Sequence, residues 1–102
     1  MKSKFILTPY FLDEERPGLA ALADTDWIRN APEMPAGEQI RRLSTIYNPL
    51  AASVARAIKS GARPISIIND CCANLGMLTG LQRAGVNPTL IWFDAHGDFN
   101  TW

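Results

Sequence analysis

Thr89-Leu90-Ile91-Trp92-Phe93-Asp94-Ala95-His96-Gly97-Asp98 decides how this chain is read. The first five residues are apolar or β-branched, and Pro88 just ahead bars a helix from running through them, so they read as a buried strand. The next five carry Asp94, His96 and Asp98 at spacing two, which in an extended chain sets the three side chains on one side. By themselves these five suit a polar turn equally well, bent at Gly97, with solvated carboxylates and a surface imidazole. The apolar run tips the balance toward a metal site. It delivers the cluster to the carboxyl end of a central parallel strand, where open α/β sheets place their ligands. Two hard carboxylates and an imidazole suit Mn, Fe or Zn better than Ca, which takes oxygens only.

Upstream, Pro64 to Asn69 reads as a second buried strand, and Asp70-Cys71-Cys72 as the turn leaving it. Ala73 to Arg83 reads as a helix with Leu75, Leu78 and Leu81 inward, and with Gly76 and Gly80 allowing close approach to the sheet. Ala84-Gly85 stops that helix. Strand, helix, strand in about thirty residues is a βαβ unit, parallel with a right-handed crossover. Parallel strands end on one edge of the sheet, so Cys71 is expected beside Asp94, His96 and Asp98. From spacing alone, a small cysteine packed at a helix start is the stronger reading of Cys71. A fourth, thiolate ligand is the alternative.

Farther upstream, Glu38 to Tyr47 reads as a helix and Asn48-Pro49 as a break and restart, with a second helix from Pro49 to Ser60 that Gly61 closes. Tyr10 to Gly37 is irregular and rich in turn residues, which fits a functional loop, a covering layer or a plain surface connection. Phe5 to Thr8 reads as a short first strand, broken by Pro9.

Composition bounds the rest. At 102 residues and 47% hydrophobic, one small domain is the ceiling. Ten basic and ten acidic residues cancel, which argues against nucleic acid or a membrane surface as partner. The apolar run Phe5-Ile6-Leu7 is too short for a signal peptide or a membrane span. Cys71 and Cys72 are adjacent, a strained arrangement for a disulfide, and a reducing cytoplasm is the expected location. Neither strand leads into a glycine-rich phosphate loop, which disfavours a nucleotide-binding domain.

Two ordered segments carry a family resemblance. Ile91-Trp92-Phe93-Asp94-Ala95-His96-Gly97-Asp98-Phe99-Asn100-Thr101 resembles the Asp-Ala-His-x-Asp-x-Asn segment of the arginase/agmatinase (ureohydrolase) family. Ile68-Asn69-Asp70-Cys71-Cys72-Ala73-Asn74-Leu75-Gly76 resembles that family's Gly-Gly-Asp-His-Ser-x-x-x-Gly segment. The resemblance covers about the last forty residues; upstream it extends to element order only. It implies an α/β, three-layer fold with a parallel sheet flanked by helices, of which residues 1–102 form the N-terminal portion of a single arginase-like domain. It further implies hydrolysis of a guanidino or amidino compound at two manganese ions, whose shared water loses its proton near neutral pH. In it, Asp94 bridges both ions, His96 and Asp98 bind, and Asn100 contacts the amino-acid end of the substrate.

This chain departs from the pattern in two ways. Cys71 stands where the family has a metal-binding histidine, a softer ligand that suits zinc. The family's second aspartate pair and its acid–base histidine lie beyond Trp102. The expectation is therefore an inactive, truncated hydrolase that self-associates or forms a homo-oligomer through uncovered edges. The alternative is a non-catalytic metal- or partner-binding α/β module, degenerate at Cys71.

Overall fold

The computed structural model describes residues 1–93. The apolar N-terminal segment forms β1 (Ser3–Leu7), and Arg63–Ile67 forms a second long strand beside it. Between them come a two-residue hairpin, β2 (Tyr10–Phe11) with β3 (Glu14–Glu15), then α1 (Pro17–Ala20), β4 (Ile28–Arg29) and α2 (Gln39–Lys59). Arg63–Ile67 is therefore β5; a 3₁₀ turn (Cys71–Ala73) and α3 (Asn74–Arg83) follow it. The fold is α/β. β4, β1 and β5 lie in that order in one parallel sheet.

Register decides which side chains meet the helices. Ile6 pairs with both Ile28 and Ser66, so these three share a face. Ile6 is fully buried with Leu50 and Val54 of α2 and with Ala73, and Ile28, Tyr47, Ile68, Met77 and Leu81 pack around them. α2 and α3 thus form one helical layer over that face. On the opposite face Leu7 is fully buried, while Phe5, Ile65 and Ile67 are half-buried and Phe5 stacks on Trp27 with ring centroids 4.9 Å apart.

The expected break at Asn48-Pro49 does not occur: α2 runs unbroken through Pro49. Ile46, Leu50 and Val54 lie at i, i+4 spacing across it and are all fully buried. Packing of that stripe outweighs the cost of proline in a helix interior, about 3 kcal/mol. One residue along from the Thr45 carbonyl that Pro49 leaves without its i+4 donor, the carbonyl of Ile46 accepts from Nδ2 of buried Asn30 at 3.0 Å, and Nδ2 also donates to Thr8 Oγ1 at 3.2 Å. The helix ends follow the sequence reading. Gly61 (φ 83°) and Gly85 (φ 79°) take the left-handed conformation, and each closes a Schellman pair, Ala62 N–H to Ala57 O and Val86 N–H to Leu81 O.

Four further expectations are corrected. Gly76 and Gly80 bring α3 against α2, not against the sheet: a Cβ on Gly80 would stand 2.6 Å from the Ala51 carbonyl oxygen and from Val54 Cβ. With that face turned to α2, Met77 and Leu81 go inward, while Leu75 and Leu78 are 62% and 38% exposed. The irregular stretch from Tyr10 to Gly37 contains β4, two residues too short to show a pattern. Thr89–Phe93 is not a strand; Ile91 and Phe93 are 73% and 93% exposed. A parallel strand is stable when both faces are covered, and the helical layer covers one. Without that cover, burial does not offset the cost of ordering the segment.

The contact at Gly80 makes a direct prediction. Gly80→Ala gains helix propensity of about 1 kcal/mol, yet the added carbon meets backbone and must force α3 off α2. The expected net result is a loss of about 1–3 kcal/mol, as for overpacked cores, read from the midpoint of chemical denaturation. An unchanged or raised midpoint contradicts the helix contact described here.

Candidate functional site

The sheet's carboxyl edge is built around Asp70. β5 ends at Ile67, and Asp70 caps the 3₁₀ turn, its Oδ1 accepting from Ala73 N–H at 3.2 Å. Its Oδ2 accepts from Leu12 N–H at 2.8 Å, across fifty-eight residues of sequence. Leu12 sits at φ 51°, a left-handed conformation that costs a branched side chain energy. Asp70 therefore pins the strained tip of the β2–β3 hairpin against the end of β5. The hairpin's other anchor is Asp13, whose Oδ2 accepts from Arg42 Nε at 2.9 Å and whose Oδ1 accepts from Gln39 Nε2 at 3.0 Å. Hydrogen bonds from Gln39, then from Arg42, hold the Asp13 carboxyl below its ordinary range.

Cys71 and Cys72 follow at the start of the 3₁₀ turn, both exposed and both free thiols. Partial desolvation, then the charges of Cys71 and Asp70, push the Cys72 thiol above its ordinary value. Tyr47 of α2 reaches the same place from the core side. Its hydroxyl is buried with no hydrogen-bond partner among the described residues, and burial, then the charges of Asp70, Cys72 and Cys71, pushes it up to about 12. An open cavity of about 520 Å³ beside Asp70 is lined by Ile68, Asp70, Cys71, Asn74 and Leu90–Phe93.

Of the residues singled out from sequence, Cys71 is therefore placed on the rim of this cavity. It is not packed away at a helix start, the reading that spacing favoured. Asp94, His96, Asp98 and Asn100 lie outside the described residues. The segment that leads directly into them, Leu90–Phe93, shares the cavity with Cys71, although it does so as irregular chain and not as a strand. Among the described residues no group of three or more His, Cys, Asp or Glu side chains converges to hold a metal ion. Of the described donors, the two thiols are soft and suit manganese poorly, and each oxygen of the Asp70 carboxylate accepts one backbone N–H.

Sequence reasoning missed Tyr47 and the double duty of Asp70. Asp70 had a signal, an acidic residue three positions ahead of Ala73 at a helix start. Tyr47 had none, since it reads as one more member of the apolar stripe of α2.

Comparison with known proteins agrees with the rim motifs. The arginase family profile matches residues 20–102. An arginase of Bacillus caldovelox is 31% identical over 62 residues, which is 61% of this chain and 21% of that protein. An arginase of Bacillus subtilis (strain 168) is 29% identical over 75 residues, 71% of this chain and 25% of that protein. The matched part of the chain thus spans about a fifth to a quarter of the length of these relatives. No solved structure matches it significantly.

Tyr47 sets an alkaline limit on stability. Its pKa is about 12 in the fold against an ordinary 10.0. Because the unfolded chain gives up this proton first, the contribution is whole below pH 10 and is lost as the pH climbs to 12. Tyr47→Phe should remove this share of the alkaline loss, while Tyr10 and Cys72, also raised, keep theirs. At neutral pH the variant should gain about 1 kcal/mol, since it deletes a buried hydroxyl with no partner. Denaturation midpoints measured at pH 7 and from pH 10 to 12 test both statements.

Proposed function

The chain belongs to the arginase family, and from that premise we propose that it serves ureohydrolase-type chemistry, the metal-dependent hydrolysis of a C–N bond in a guanidino or amidino compound. The observation supporting this is the shared cavity. Leu90–Phe93, the residues directly ahead of Asp94, line it together with Asp70 and Cys71. Residues 1–102 then represent the N-terminal portion of one arginase-like domain. Asp94, His96 and Asp98 would hold the metal, as two carboxylates and an imidazole suit manganese. Asn100 would contact the substrate. Cys71 is the one proposed ligand within the described residues, and its soft sulfur does not fit the manganese of the family.

Two other assignments go with this reading. Exposed, unbridged thiols fit a reducing cytoplasm, and no helix among the described residues is long and apolar enough to cross a membrane. The exposed Leu75, Leu78, Ile91 and Phe93 support self-association, which light scattering over a concentration series measures. The same exposure favours a second reading, a partner-binding module that retains the metal residues without catalysis.

Calorimetric titration with manganese and zinc separates these. Under the hydrolase reading, Asp94→Ala and His96→Ala abolish ion binding, Cys71→His strengthens manganese binding by about tenfold or more, and a manganese-loaded Cys71→His protein extended past Trp102 releases urea from arginine or agmatine. Ion binding without urea release in the extended protein, before and after Cys71→His, favours the module. Absence of any ion binding overturns the hydrolase reading.

A further inference from the structure

We propose that the cavity between β1, β4 and the end of α2 is a binding site for a small phosphate monoester with an apolar body. The cavity measures about 480 Å³. It lies at the amino edge of the sheet, where α2 hands over to β5, at the opposite end of the strands from Asp70 and Cys71. The inference therefore stands apart from the hydrolase reading. Three cations line the cavity. Lys4 comes from β1, two residues before Ile6 and so on the same, helix-covered face. Its Nζ donates to the Asp26 carbonyl at 3.2 Å, which holds the side chain at the entrance to β4. Arg56 and Lys59 come from the last turn of α2. No carboxylate side chain lines the cavity, and among the described residues none of the three cations forms an ion pair. Basic residues at a helix C-terminus complement its dipole. That accounts for Arg56 and Lys59 but not for Lys4, which belongs to a strand.

A second observation is independent of charge. Ser53 lines the same cavity yet is only 5% exposed. Its Oγ accepts from Arg56 Nη2 at 3.4 Å. Ser44, Thr45 and Thr79 each donate their hydroxyl proton to the carbonyl four residues back. Ser53 makes no such bond, so its proton has no acceptor among the described residues. A buried donor without an acceptor is costly, and an anion oxygen in the cavity satisfies it.

The donor set selects the anion. A guanidinium fork grips two oxygens of a phosphate, and lysines add compact charge beside it. A phosphate monoester carries close to two negative charges at neutral pH and three terminal oxygens. It matches three cations and a hydroxyl better than a single carboxylate does. Ile28 and Ala57 give the cavity an apolar wall. A second cavity of about 390 Å³ shares Ile28, Ser53 and Arg56 and continues along α2 past Ala52 to Pro49. That extension has room for the apolar body. Binding is non-covalent, with no bond made or broken.

The test uses the whole chain with phenyl phosphate, inorganic phosphate or phenol. Calorimetry should show phenyl phosphate binding at least about tenfold more tightly than either of the others, since only it has both head and body. Added salt should weaken it. Hydrogen exchange read by mass spectrometry should show protection over residues 53–60. Arg56→Gln should weaken binding by about tenfold or more and Ser53→Ala by about two- to tenfold. Arg56→Lys, which keeps the charge and loses the fork, should restore only part of the affinity. Arg56 is exposed, so its variants should keep the denaturation midpoint of the unmutated chain. The proposal is overturned by no saturable binding of phenyl phosphate, by phenol binding as tightly, by protection confined to other segments, or by unchanged affinity in Arg56→Gln.

Discussion

The close approach of α3 to α2 at Gly76 and Gly80 is the constraint on which the rest of the structure depends. A single carbon at Gly80 would stand inside contact distance of the Ala51 carbonyl, so the helices sit nearly backbone to backbone. Once that face of α3 is committed to α2, its other faces are fixed. Met77 and Leu81 turn to the core, Leu75 and Leu78 turn out, and the helix start, with Ala73 buried in the core cluster, is held at the end of β5. That placement sets the Cys71 and Cys72 turn between the end of β5 and the start of α3.

Around this contact the loops are tied by polar groups. Asn30 joins β4's exit to Thr8 and to the Ile46 carbonyl, next to the place where Pro49 deprives α2 of a donor. Arg42 joins the start of α2 to Asp13 and also donates to the Pro35 carbonyl at 2.6 Å. Asp70 joins the hairpin tip to the 3₁₀ turn. Buried or half-buried polar groups of this kind contribute most by being costly to leave unpaired. Each tie brings a segment from Tyr10–Gly37 to the helical layer or to the rim, which gives that irregular stretch its course over the sheet.

What was legible in the sequence followed from local chemistry. The left-handed glycines at 61 and 85, the apolar β1 and β5 segments and the helix after Asp70 are each fixed by a few neighbouring residues, and each is present. Failures occurred where a distant partner decides. Asn48-Pro49 reads locally as a break, but Asn30 and the stripe Ile46–Leu50–Val54 hold the helix together through it. Leu75 and Leu78 read as inward because leucine at helical spacing looks the same whichever face is taken, and the glycine face took the contact. β4 is specified by register with Ile6 and Leu7, which no two-residue pattern can announce. Of the site, the motif order was legible and agrees with the family match over residues 20–102. Spacing favoured a packed Cys71, and it lines the cavity instead, whereas the Tyr47 hydroxyl, unpaired among the described residues, belongs to tertiary structure alone.

Thr89–Phe93 shows how far local composition carries and where it stops. The segment has strand chemistry, and β5 pairs with β1 alone among the described strands. It nonetheless lines the cavity without pairing, its side chains largely in water. Backbone pairing by itself yields little net stability, because water satisfies the same groups; a parallel strand is stabilised by burial on both faces. The helical layer supplies one face, and Phe5, Ile65 and Ile67 leave the other half-open. The rim is therefore preorganised on one side only: Asp70 fixes the turn at Cys71 and Cys72 by two backbone hydrogen bonds, while the facing wall rests on apolar surface that has not been covered. A group that binds at this rim meets a turn fixed by hydrogen bonds beside a segment that no strand pairing holds.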